Sequence, residues 1–207
     1  MDWKKILNKD NPIILEIGSA DGEDSKRFLD IFKDIRLYCF EPDNRGIAKF
    51  KKNINDKRCI LFETAVGNEN GFVKFYQSHG WPSDYKGSGD WDKSSSIKKP
   101  KDHLISHPWC SFEILKEVPI IRLDTWIEKN NIDYIDLIWA DVQGAEKDLI
   151  LGGSKTLSRT KFFYTEFSKG EVYEGALNLE QILALLPNFE VVQVLEDDVL
   201  LRNKLMK

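Results

Sequence analysis

The sequence predicts an α/β protein: a Rossmann-like, doubly wound, mostly parallel seven-stranded sheet with an inserted hairpin and a lid segment. Three observations carry that expectation. Residues 13–22, Ile-Ile-Leu-Glu-Ile-Gly-Ser-Ala-Asp-Gly, run from an apolar strand into a small-residue turn and then an amphipathic helix. Short apolar runs alternate with helical segments over most of the chain, the rhythm of a sheet wound on both faces. The run Tyr134–Ala140 suits a strand covered on both sides.

In order, the first strand ends at Gly18, and without a Cβ at Gly18 and Gly22 the backbone can turn tightly and approach a ligand. A helix beginning near Ser25 points its first amides at the same spot. A second strand, Leu37-Tyr38-Cys39-Phe40, ends in Glu41-Pro42-Asp43 and leads into a helical run through Phe50. Cys59–Phe62 is a third strand, followed by Glu63-Thr64-Ala65-Val66-Gly67. Phe72–Tyr76 alternates apolar and polar, as a strand of an added hairpin does. Residues 77–117 interrupt the regular alternation. Val118–Leu123 is apolar again, Asp124–Lys129 forms a short helix, and the Tyr134–Ala140 strand ends at Asp141. A helix from about Gly144 to Leu151, a strand Phe162–Thr165 ending in Glu166, a helix over Leu179–Leu186 and two closing strands near Glu190–Leu195 and Val199–Arg202 complete the set.

The turn after the first strand narrows the ligand. A dinucleotide fingerprint uses three glycines as GxGxxG, whereas Gly18-Ser19-Ala20-Asp21-Gly22 lacks the middle glycine that admits a pyrophosphate. Glu16 and Asp21 flank the turn, where they would repel phosphates but suit the positive amino and sulfonium groups of S-adenosylmethionine. Glu41, at the end of the second strand, is placed to accept hydrogen bonds from ribose hydroxyls, with Pro42 beside it. Thr64, Ala65 and Val66 supply the small apolar surface on which an adenine ring would lie. The turn favours S-adenosylmethionine over NAD.

A chain of 207 residues with 42% hydrophobic content can bury a sizeable core, and no composition break marks a second domain, so residues 1–207 are read as one. The formal charge of −4 is spread along the chain, which disfavours a nucleic-acid partner. The N-terminus lacks the apolar stretch of a signal peptide and no run approaches a membrane span, so a cytoplasmic enzyme is expected. Cys39, Cys59 and Cys110 are odd in number and far apart, and read as reduced packing residues. His103 and His107 have an i, i+4 spacing, but Pro108 follows directly and no nearby acid completes a motif, so no metal site is expected.

Several short blocks occur in a fixed order: Ile14-Leu15-Glu16-Ile17-Gly18-Ser19, Phe40-Glu41-Pro42, Ala65-Val66-Gly67-Asn68, Ser94-Ser95-Ser96, Arg122-Leu123-Asp124-Thr125-Trp126 and Ile135–Glu146 with its Asp-Val-Gln-Gly-Ala-Glu run. Together they resemble the FkbM family of S-adenosylmethionine-dependent methyltransferases, from about residue 13 to 203 and including the Tyr-Thr-Glu-Phe strand end at Glu166. The resemblance implies the class I methyltransferase fold and methyl transfer to oxygen, most often a hydroxyl of a sugar or polyketide-like metabolite. It also implies a contact from Ser95, within the Ser94–Ser96 run, to the methionine carboxylate. Members commonly carry Lys and Glu where this chain has Trp139 and Gln143. A neutral amide cannot serve as a base, so Gln143 is left as a hydrogen-bonding group toward cofactor or acceptor.

Methyl transfer from a sulfonium asks mainly for positioning, which can supply roughly 7–11 kcal/mol of the barrier. A base that takes the acceptor proton adds about 10²–10⁴ in rate. Asp141 and Glu166, at the carboxyl ends of adjacent predicted strands, are the candidates: Asp141 as base or acceptor-orienting group, Glu166 as a second acceptor contact. Residues 77–117 hold Trp81, Tyr85, Trp91, Trp109 and Phe112, aromatic faces suited to sugar rings, and are expected to close over the cofactor and carry the acceptor site. An NAD-linked oxidoreductase and a non-catalytic cofactor-binding module stand as the other readings. Methylation of an amine instead of a hydroxyl would use the same carboxylates.

Overall fold

The computed structural model describes residues 1–82 and 90–206. In chain order the elements are α1 (Trp3–Leu7), β1 (Ile13–Ile17), α2 (Glu23–Ile31), β2 (Arg36–Phe40), α3 (Asn44–Asn53), β3 (Cys59–Phe62), β4 (Ala65–Gly67), β5 (Gly71–Gly80), α4 (His103–Ser106) and β6 (Cys110–Arg122). There follow α5 (Leu123–Asn130), β7 (Ile135–Ala140), α6 (Glu146–Gly152), α7 (Ser154–Ser158), β8 (Thr160–Glu166), α8 (Leu179–Leu185), β9 (Phe189–Val194) and β10 (Asp198–Asn203). Seven strands form one sheet in the order β3-β2-β1-β7-β8-β10-β9, parallel except for β10, which runs antiparallel to both neighbours. The chain leaves β1 toward β2 and β3 and returns on the other side at β7. That reversal opens a crevice at the carboxyl ends of β1 and β7, where open α/β sheets hold their ligands.

Alternate residues of each strand serve opposite faces, and both faces are covered. Ile14 and Leu137 join Phe28, Phe32, Leu37 and Phe50 on one side, while Leu15, Ile17 and Ile138 join Trp126, Leu149 and Phe163 on the other. The one carboxylate within the first half of β7, Asp136, is 2% exposed but satisfied. It accepts from the Ile13 amide at 2.8 Å and pairs with Lys9 at 2.9 Å. A buried charge without such partners would cost several kcal/mol.

A three-stranded sheet, β4-β6-β5, sits beside the crevice, with β4 parallel and β5 antiparallel to β6. Here the structure corrects the expected irregular segment. Residues 77–80 continue β5, and residues 110–117 belong to a long β6 that pairs with it. The β6 pattern hides this, because Ile114 and Leu115 are adjacent and both exposed, so no alternation marks the strand. The hairpin is docked by polar contacts: Asp43, the N-cap of α3, pairs with Arg45 at 2.7 Å and accepts from Gln77 and Ser95, while Arg45 donates to the Ser78 carbonyl. Boundaries shift elsewhere by small amounts. Helix α2 starts at Glu23 instead of near Ser25, α6 starts at Glu146 instead of Gly144, Leu123 opens α5 instead of closing a strand, and α1, α4 and α7 were not legible as helices.

Candidate functional site

The site starts at the β1–α2 turn. Gly18 has φ +87°, and a Cβ there would lie 1.8 Å from the Asp141 carbonyl oxygen, so only glycine lets β1 and β7 close side by side at this point. Its amide and that of Ser19 donate to the Phe40 carbonyl. The amide of Ala20, a non-glycine residue at φ +44°, is turned onto Glu41, donating to its Oε2 at 2.7 Å. The Asp43 amide donates to Oε1 of the same carboxyl at 2.7 Å. Glu41 is therefore fixed at the end of β2, and in its ionised form each oxygen keeps a lone pair for another donor.

These residues wall a cleft of about 920 Å³ of empty space, the open solvent at its mouth included. Glu16, Gly18, Ser19, Asp21, Glu41, Pro42, Thr64, Ala65, Val66, Ser95, Asp141 and Gln143 line it, so twelve of the fifteen expected site residues converge there. Gly22 and Ser25 do not. Gly22 is the N-cap of α2, and a Cβ on it would strike Ile54 and Phe50 of the α3 region, so its glycine serves helix packing. Ser25 is fully buried and donates to the Glu16 carboxylate behind the turn. Ser95 reaches the cleft, but its hydroxyl is engaged with Asp43, Arg45 and the Ser78 amide.

Burial sets the charge of the cleft. It pushes Glu16 up to about 8, against the lowering pull of the Ser25 hydroxyl, so this side chain is largely protonated at neutral pH and is not the counter-charge expected of it. Glu41 is raised to about 8 for the same reason, opposed by its two backbone donors. Asp21, Glu23, Asp24, Asp92 and Asp141 are the other acidic residues that line the cleft.

Glu166 lies in a second, adjoining pocket of about 1,580 Å³ to its mouth, which shares Asp141, Gln143 and Lys93 with the cleft. Gln143, held at φ +50°, sits at the junction. Its Nε2 donates to Asp141 at 2.6 Å and to Glu166 at 3.3 Å, and its Oε1 accepts from the Tyr173 hydroxyl at 3.2 Å. Burial pushes Asp141 up to about 6, opposed by the Gln143 donor. Glu166 is raised above neutrality by burial and then by the negative charge of Asp141 and Glu146, so of the pair Asp141 is the one that ionises first. Glu146, buried and raised to about 7 by desolvation, accepts from the Gly144 amide and lines the same pocket.

Of the expected aromatic residues, Trp91 and Trp109 line the second pocket, joined by His103, His107 and Tyr173. Trp81 packs edge-on against Trp91, and Phe112 edge-on against His103, behind the wall. Tyr85 lies outside the described residues. His103 is buried and lowered to about 4 by desolvation, and among the described residues no group of three or more His, Cys, Asp or Glu could hold a metal ion. Sequence reasoning missed Lys93, Trp139 and Tyr173. Trp139 lines the cleft while stacked on Tyr164 with ring centroids 4.0 Å apart, and Tyr173 reaches the Ser94 carbonyl at 2.7 Å. Only a contact spanning 79 positions reveals the latter.

Comparison with known proteins accords with this geometry. The methyltransferase FkbM domain model matches residues 13–193. The chain is 46% identical over 203 residues to the 2-O-methyltransferase NoeI of Sinorhizobium fredii, covering 96% of this chain and 82% of that protein. Solved structures of similar fold include a putative rRNA methylase from Clostridium thermocellum, with TM-score 0.53 and 12% identity over 97% of this chain and 89% of that one. Aeropyrum pernix fibrillarin, solved with natively bound S-adenosyl-L-methionine, has TM-score 0.51 and 12% identity over 94% of this chain and 67% of that one. At such identities the likeness concerns the fold, which is that of class I methyltransferases. The family model and the close relative together go further: the chain belongs to the FkbM family of methyltransferases.

Proposed function

We propose that this methyltransferase takes its methyl group from S-adenosylmethionine and places it on a hydroxyl of a sugar or glycan acceptor, the position being the 2-hydroxyl as in the name of its 46% identical relative. The observation that carries the reading is the placement of Asp141 and Gln143 on the shared wall of two pockets, one suited to the cofactor and one to the acceptor. The cleft residues fit the cofactor. Ala65 and Val66 form a small apolar wall for the adenine, the ionised Glu41 carboxylate would accept from ribose hydroxyls, and Asp21 would hold the positive amino-acid end. When bound, S-adenosylmethionine supplies an activated methyl group, so no covalent intermediate on the protein is needed.

The protein's own part is to hold, orient and deprotonate. Trp91, Trp109 and Tyr173 offer flat faces and polar edges to a sugar ring. Asp141 Oδ, ionised above about pH 6, accepts the hydroxyl proton, and the Gln143 amide fixes the direction of that carboxylate. Glu166, which keeps its proton at neutral pH, donates a hydrogen bond to the acceptor. In the same reading residues 1–207 work as one methyltransferase domain, with 77–117 as its acceptor-side cover. A nucleic-acid acceptor fits poorly, since the carboxylates of Asp141 and Asp197 line the second pocket and would repel phosphates.

The test is methyl transfer to a panel of free and oligomeric sugars, read by mass spectrometry, with Asp141→Asn alongside. Wild type should add one methyl group to a sugar hydroxyl. Asp141→Asn should bind S-adenosylmethionine normally and lose about 10²–10⁴ in turnover. Undiminished turnover in that variant refutes the base assignment, and a protein that binds S-adenosylmethionine but methylates no hydroxyl or amine acceptor returns the reading to a binding module.

A further inference from the structure

S-adenosylmethionine carries two positive groups near its sulfur and one negative carboxylate, and a cleft that holds it needs an answer to each. Asp21 and Asp141, both lining the cleft, would hold the positive groups. For the carboxylate, Lys93 is the one cationic side chain among the described residues lining the cleft. Arg45 and Lys49 lie close by but are committed, Arg45 to Asp43 and Asp90, and Lys49 to Asp92 at 2.6 Å. The Ser95 hydroxyl is likewise held by Asp43, Arg45 and the Ser78 amide. Lys93 is engaged only loosely, 3.7 Å from Asp21 and 3.8 Å from Glu23, with 38% of its side chain exposed. Contacts of that length between exposed groups contribute little and can be exchanged.

We propose that Lys93 binds the methionine carboxylate of S-adenosylmethionine, leaving Asp21 and Glu23 to do so. The turn bearing it is fixed in place. The Trp91 amide donates to the Gly80 carbonyl, the Ser94 carbonyl accepts from Tyr173, and the Ser96 hydroxyl donates to the Gln143 carbonyl. Lys93 also lines the second pocket, and its charge acts on Asp141.

The inference rests on the cofactor reading, and one experiment separates the two. Wild type, Lys93→Met and Lys93→Arg are titrated calorimetrically with S-adenosylmethionine, with its decarboxylated form and with methylthioadenosine, which lacks the whole amino-acid part. Loss of a charge-assisted contact should weaken S-adenosylmethionine binding to Lys93→Met by about 10–100-fold. The decarboxylated form and methylthioadenosine should bind wild type and Lys93→Met within about threefold of each other, and Lys93→Arg should recover most of the loss. An unchanged affinity for S-adenosylmethionine, or an equal loss for all three ligands, overturns the assignment while the cofactor reading stands. If wild type binds none of the three, the cofactor reading fails and the role of Lys93 with it.

Discussion

At the scale of single residues, Asp141 depends on its neighbours for both direction and charge. Burial raises its carboxyl and the Gln143 amide lowers it, leaving a base that is ionised above about pH 6. Because the deprotonated form is the active one, kcat/KM should rise with pH and level off above this value, as a pH–rate profile will show. Gln143→Glu would set a third carboxyl between Asp141 and Glu166. The added negative charge favours the protonated form of Asp141, so the rising limb should move upward by about one pH unit; a downward move would show that Asp141 is not the titrating group. Gly18, Glu41 and Asp141 were legible in the sequence because each sits at a strand end whose position follows from local pattern. Lys93 and Tyr173 were not, since their roles arise from contacts with chain dozens of positions away. Ser25 was misassigned because proximity to the turn says nothing about which way a hydroxyl faces, and here it faces Glu16.

At the scale of elements, the cleft wall depends on how closely α6 approaches β4. A Cβ on Gly152, at the end of α6, would lie 1.8 Å from the Gly67 carbonyl oxygen, so the helix can rest on the strand only with glycine there. Gly152→Ala must push the two apart. Because β4 carries Ala65 and Val66, the expected result is a loss of about 1–3 kcal/mol in stability, seen as a lower Tm, together with weaker S-adenosylmethionine binding. Normal Tm and affinity would mean that α6 yields without moving the wall. The βαβ elements were legible because their apolar runs are short and bounded, and the structure moves their ends by only a few residues. The β5–β6 hairpin was only half legible. Strand β5 ends in Gln77-Ser78-His79-Gly80, whose buried polar side chains bond to Asp43 and to the 91–95 segment, so it carries no apolar signature.

At the scale of the whole molecule, the sheet brings several carboxyl groups into low-dielectric surroundings at one edge, and the fold bears their cost. Glu16, Glu41 and Glu146 are raised by burial to about 8, 8 and 7. An acid whose folded-state pKa lies above its unfolded value binds more protons when folded over the interval between the two. Its contribution to stability is complete below the unfolded value near 4.5 and is lost as pH climbs through the folded one. Stability should therefore fall from about pH 5 to pH 8, where many proteins are near their maximum. Thermal unfolding across this range should show a declining Tm, and Glu16→Gln should flatten the decline, since the amide has no proton to lose. S-adenosylmethionine should offset part of it, because a ligand at 100 times its Kd adds about 2.7 kcal/mol. A Tm that rises from pH 5 to 8 in the ligand-free protein would show that these carboxyls are solvated in solution and that the cleft is less enclosed than its geometry implies.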